Sequence, residues 1–142
     1  MDKCLHLLGL ARKAGALEIG EECVSAGVER VRVRCILSAS DASEGSVKRA
    51  AFMAREASVP HLVLPYGKME LSQAVGRGSP GMLAFTDTGL AAAFTSELAK
   101  TDPGFAPAAE RMALKRKRAE ERKSSRKAAG CHGKRTNGKE RE

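Results

Sequence analysis

Between Lys3 and Ala14 the apolar positions Cys4, Leu7, Leu8 and Ala11 recur at the three- and four-residue spacing of one helical face, and Gly15 supplies a stop. Ala16–Ile19 reads as a short strand. From Glu21 to about Arg30 the spacing of Val24, Gly27, Val28 and Val31 predicts a second helix that starts just after Gly20. The alternation and β-branched content of Arg32–Ser38 predict a strand, with Arg32 and Arg34 on one face and Val33 and Cys35 on the other. A turn cluster follows, in which Ser43 can cap a third helix whose face is Val47, Ala50, Ala51 and Ala54.

His61–Pro65 is a compact apolar strand, and Lys68–Val75 a short helix closed by Gly76. Gly78–Gly81 forms a loop and Met82–Phe85 a further strand. Thr86 or Asp87 opens a helix that turns Leu90, Ala91, Phe94 and Leu98 inward. Helices alternating with short strands in this way give an α/β fold, a three-layer α/β/α sandwich around a small mixed sheet.

Past Pro107 the apolar stripe fades, with Met112 and Leu114 almost the only large apolar side chains. Charge changes at the same place. Residues 1–109 hold 12 Lys+Arg against 12 Asp+Glu, whereas residues 110–142 hold 13 against 5, so the whole excess of +8 lies in the last stretch. The expected organisation is a domain over 1–101, a linker over 102–109 and a basic tail over 110–142, disordered or helical. Such a tail suits phosphate contacts, here through Lys115, Arg116, Lys117, Arg118, Arg122, Lys123, Arg126 and Lys127. A solubilising extension is the plainer reading of the same residues.

Catalytic chemistry has little to stand on. Cys4, Cys23, Cys35 and Cys131 form no C-x-x-C pair, which argues against zinc and against a disulfide framework. His6, His61 and His132 are scattered, and there is no nucleophile elbow, phosphate-binding loop or dinucleotide fingerprint. Asp41 at a strand end suits a turn better than a catalytic acid. No signal peptide and no membrane-length apolar run is evident, so a cytoplasmic monomer without metal, cofactor or membrane is expected. With one Tyr, four Phe and no Trp, base-stacking platforms are excluded too.

Four blocks in order, LGLARKAGALEIGEECV, RCILSASDAS, VPHLVLPYGKMELSQAVG and GMLAFTDTGLA, resemble the ribosomal-protein superfamily of the L-seven-Ae and L-thirty-e type, and within it the small bacterial YlxQ-like branch. The resemblance covers roughly residues 4–98. It implies binding of kink-turn RNA, a kinked helix with tandem sheared G·A pairs, with ribosomal RNA and ribosomal proteins as the expected surroundings. The family's loop into the second helix matches Gly20, Glu21, Glu22, Cys23 and Ala26, the last standing where relatives carry lysine. Its second RNA-facing loop matches Gly78, Ser79, Pro80, Gly81 and Met82. Lys68 falls where several members place a phosphate-contacting lysine, and Ser43 where a side chain can face the RNA.

Two readings of the acidic pair remain. Glu21 and Glu22 suit the positive end of a helix dipole whatever the function. A carboxylate there can also accept hydrogen bonds from the exocyclic amino groups of bases. The Arg30–Arg34 strip reads either as a track for a nucleic-acid backbone or as a charged, aggregation-blocking strand face. The same fold serves as a protein–protein adaptor in some relatives and precedes a catalytic domain in some RNA methyltransferases, which leaves those as the competing classes.

Overall fold

The computed structural model describes residues 2–130 apart from Val31, Arg77 and Ser79, with side chains as far as Arg122. The described residues form, in chain order, α1 (Lys3–Lys13), β1 (Leu17–Ile19), α2 (Glu21–Glu29), β2 (Cys35–Ser38), α3 (Glu44–Ala57), β3 (His61–Val63), α4 (Lys68–Val75), β4 (Met82–Phe85), α5 (Thr88–Thr101) and α6 (Ala106–Gly130), with a single 3-10 turn at Pro103–Phe105. The sheet is mixed, in the order β1-β4-β2-β3: β2 and β3 are parallel, and β4 runs antiparallel to both β1 and β2.

Strand alternation sorts the core into two layers. Cys35, Leu37, Leu83 and Phe85 point to one face, where α1, α4 and α5 cover them with Leu8, Leu71, Phe94 and Leu98. Ile36, Met82 and Ala84 point to the other, packed by Val24 of α2 and by Ala50 and Ala54 of α3. This is the α/β/α sandwich expected from the sequence. Local signals set its boundaries: Ser43 Oγ accepts from the Ser46 N–H, Asp87 Oδ2 from the Leu90 N–H, and Gly76 closes α4 in the left-handed conformation.

Two expectations need correction. The strand expected from Arg32 begins only at Cys35; Val33 is buried, but Arg32 and Arg34 are exposed ahead of the ladder. The other concerns the linker over 102–109, while the tail takes the helical one of its two expected forms as far as Gly130. Residues 103–105 make a helical turn, α6 follows without a break, and Met112 is fully buried in the same layer as Phe85 and Phe94. Phe105 and Ala108 pack against that layer as well. One deeply inserted side chain and two partly buried ones anchor this segment, while Arg111, Arg116, Lys117, Arg118 and Arg122 are exposed.

Candidate nucleic-acid interface

The strand directions place the candidate residues at one edge. β1, β2 and β3 all end there and lead into α2, α3 and α4, while β4 starts there. In open α/β sheets the carboxyl ends of parallel strands are the usual place for ligands. Gly20, Ser43, Lys68 and Gly81 therefore become neighbours although 61 residues separate the first from the last.

The two loops named from the sequence are joined directly. The Gly20 N–H donates to the Met82 carbonyl at 2.9 Å, continuing the β1–β4 ladder beyond Ile19 and Leu83. The Ala39 N–H donates to the Gly81 carbonyl at 3.0 Å, which ties the same loop to the end of β2. Gly20 has φ 91°, a conformation that favours glycine, and the space its missing Cβ would enter is open. A Cβ at Gly81 would stand 3.6 Å from Lys68 Cε and 3.8 Å from Ser46 Oγ, so the lysine stem lies along the glycine.

Helix starts differ at this edge in a way that matters. Ser43 caps α3, and Asp41 Oδ1 accepts the Lys68 N–H at 2.8 Å while Glu70 reaches back to the Gly67 N–H at 3.1 Å. Asp2 and Asp87 cap α1 and α5. Among α1–α5, α2 alone starts with no side-chain acceptor at its first turn, because its cap position is Gly20. Its first-turn N–H groups are left facing outward beside the positive end of the helix dipole.

The acids around that start divide their roles. Glu21 pairs with Arg49 of α3, Nε to Oε2 at 2.7 Å, with both side chains about half exposed. Glu22 and Cys23 are exposed. Glu21 and Glu22 of the first turn, with Ser25, Ala26 and Glu29, line a shallow groove of about 480 Å³. That outer face of α2 is anionic from its first turn onward, so on this helix only the uncapped N–H groups favour a phosphate. Arg49 escaped the sequence reading because its role depends on a partner 28 residues away on another helix.

Several other candidate residues are buried or already hydrogen-bonded. Met82 is buried among the α2 and α3 side chains, and its carbonyl is bonded to Gly20, so it supports the loop from below. Pro80 is buried, Gly78 exposed, and Ser79 lies outside the described residues. The Ser43 hydroxyl is engaged in capping. On α6, Arg116, Lys117, Arg118 and Arg122 are exposed, whereas Lys115 is half-buried and reaches toward the Ser58 carbonyl at 3.4 Å, beside Arg111 at 2.7 Å. The side chains of Lys123, Arg126 and Lys127 lie outside the described ones.

Other titratable groups belong to the core. Ser38 Oγ and His61 Nε2 lie 2.8 Å apart, with Ser38 fully buried, and burial holds the His61 pKa below its ordinary value. Burial pushes the Cys35 thiol up to about 12, which leaves it inert.

Comparison with known proteins adds a family to this geometry. The chain is 32% identical over 75 residues to the RNA-binding protein YlxQ of Enterococcus faecium, a match spanning 53% of this chain and 72% of that protein. The chain belongs to the YlxQ-like branch of the L-seven-Ae and L-thirty-e superfamily. Among solved structures it is similar to a Bacillus halodurans protein of unknown function, with TM-score 0.63 and 27% identity over 68% of this chain and 97% of that one. A 15.5kD RNA binding protein of Giardia lamblia shares the fold, with TM-score 0.55 and 16% identity over 68% of this chain and 82% of that one. No protein-family model matches the chain. Among the described residues no helix is long and apolar enough to cross a membrane.

Proposed function

We propose that this protein binds structured RNA, recognising a kink-turn-like element through the start of α2 and the loop that leads into β4. The observation that carries this reading is the uncapped α2 start, fixed to the second loop by the Gly20–Met82 hydrogen bond. Two elements tied by that bond, one of them the uncapped start of α2, can hold a bent backbone, and Lys68 stands beside Gly81 to meet a phosphate. Glu22 accepts hydrogen bonds from exocyclic amino groups, and Arg49 neutralises Glu21 so that the pair does not repel the RNA together. The name of the Enterococcus relative supports RNA as the ligand class. Ribosomal RNA or a ribosome-assembly intermediate in the cytoplasm is the proposed partner, Arg118 and Arg122 of α6 add phosphate contacts without sequence choice, and no catalytic step is assigned.

The test titrates the full chain against a kink-turn RNA and a plain RNA duplex at several salt concentrations. A preference for the kinked RNA that Glu22→Ala abolishes, with little change in salt slope, is the expected result. Equal affinity for both RNAs at every salt concentration sinks the kink-turn reading and favours a protein–protein adaptor built on the same fold.

A further inference from the structure

At the opposite edge of the sheet, where β2 and β3 begin and β4 ends, α6 crosses over a second feature. An open groove of about 730 Å³ runs between α6 and the body. One wall is Arg34, ahead of β2, with Val33 and Val59 at the floor; the other wall is Lys115, Arg118 and Arg122 of α6. Arg116 also lines it, against Asp87 and Glu120, so five cations face two acids, a local balance of +3. Both acids are already engaged: Asp87 caps α5 at 2.8 Å, and Glu120 lies 3.7 Å from Arg116. Among the described residues, Arg34, Lys115, Arg118 and Arg122 have no carboxylate within ion-pair distance.

Sequence offers no reason to expect this clustering, since Arg34 lies 81 residues before Lys115 and belongs to the electrically neutral body. The cations crowd one another. Burial lowers the Lys115 pKa first, and the charges of Arg111 and Arg34 lower it further. A fold that anchors α6 through Met112 holds these like charges together, and an anion in the groove would relieve their repulsion.

We infer that this groove binds the sugar–phosphate backbone of a second RNA segment, so that the protein joins two RNA elements from opposite edges of its sheet. Lys115, Arg118 and Arg122 occupy one face of α6 at i, i+3 and i+7, a span of ~10 Å at the helical rise of ~1.5 Å per residue. Three cations spaced along one helix face can meet successive phosphates of a single strand. Guanidinium forks match phosphate oxygens well. The floor is small and aliphatic, with no aromatic side chain to stack a base, so the groove reads backbone and not sequence. Lys117, by contrast, points away into a separate groove beside Lys3 and His6. A fixed groove therefore makes a distinction among neighbouring basic residues that a diffuse basic arm does not.

The experiment uses that distinction. A plain RNA duplex, with no kink, is titrated by fluorescence anisotropy with the full chain and with Arg34→Gln, Arg118→Gln and Lys117→Gln at several potassium chloride concentrations. Arg34→Gln and Arg118→Gln are each expected to reduce the slope of log K against log salt by about 1, and Lys117→Gln to leave it unchanged. All replaced residues are exposed, and unfolding midpoints equal to that of the unaltered chain verify that the comparison is one of folded proteins. Equal effects of Arg118→Gln and Lys117→Gln, with none from Arg34→Gln, overturn the groove in favour of a diffuse arm. Displacement of the duplex from the unaltered chain by polyglutamate at equal charge concentration also overturns it, since the ligand would then be an acidic protein surface. Because the plain duplex lacks the kink, this outcome is read independently of the loop site: loss of kink preference alone leaves the groove standing.

Discussion

Replacing Met112 by alanine tests whether α6 is part of the folded body. The side chain is fully buried, in a layer with Cys35, Phe85, Phe94 and Leu98. Truncation of such a side chain costs ~2–5 kcal/mol through lost transfer energy and the cavity left behind. Alanine is at least as good a helix former as methionine, so none of that loss can come from helix propensity. For a domain whose total stability is ~5–15 kcal/mol, a loss of about 3 kcal/mol is a large fraction. With a urea m-value of ~1–3 kcal/mol/M, the midpoint should fall by about 1–3 M with m unchanged. The chain has no Trp and one Tyr, so far-UV circular dichroism is the suitable probe. Leu114→Ala is the internal control, two residues along the same helix and 49% exposed. Its expected cost is ~0.5 kcal/mol. If Met112→Ala shifts the midpoint no further than Leu114→Ala, then α6 is a detached arm and the groove beside it has no fixed wall.

Three further outcomes follow from the site and the core. Ala26→Lys adds a cation one turn after Glu22, where the family resemblance implies a lysine, and should raise affinity for a kink-turn RNA about fivefold, equivalent to ~1 kcal/mol, with the salt slope steeper by about 1; unchanged affinity and slope in an anisotropy titration would place residue 26 outside the RNA footprint. Gly20→Ala forces a side chain into φ 91° and should cost ~1–3 kcal/mol of stability by thermal unfolding, together with kink-turn affinity; a neutral result refutes the fixed geometry of that turn. Stability should fall with acidification below pH ~6.5, because the unfolded chain takes up a proton on His61 that the folded chain refuses. The sign follows from the lowered folded pKa: the contribution is complete above the unfolded value and is lost as pH drops through the folded one. His61→Gln should flatten the profile between those two values, and urea midpoints measured across that range check it.

Much of the sandwich was legible because its helices carry clear apolar stripes, such as Leu90, Ala91, Phe94 and Leu98, and its turns carry side chains with one obvious use, such as Ser43 and Asp87. The strand at Arg32–Ser38 was overextended because alternation of Arg and Val looks the same inside and outside a ladder; only pairing with Phe85 at Cys35 decides where it starts. The packing of α6 was hidden for a different reason. A helix docked chiefly through a single buried methionine has no stripe, and its basic residues dominate the composition. At the candidate site, glycine before two acids pointed to Gly20 and Glu22. Sequence did not show that Met82 is core, or that Arg49 answers Glu21, since both facts depend on contacts between distant elements.

The burial of Met112 also bears on the order of events during synthesis. Chains are made from the N-terminus, and domains fold as their parts emerge. Here every strand and α1–α5 are complete by Thr101, yet the layer around Phe85 and Phe94 lacks its last side chain until residue 112 is out. The Ser58 carbonyl at the end of α3 likewise waits for Arg111. The layer of Phe85 and Phe94 is therefore completed only when the first turns of α6 arrive, and the basic wall of the groove is delivered in the same step.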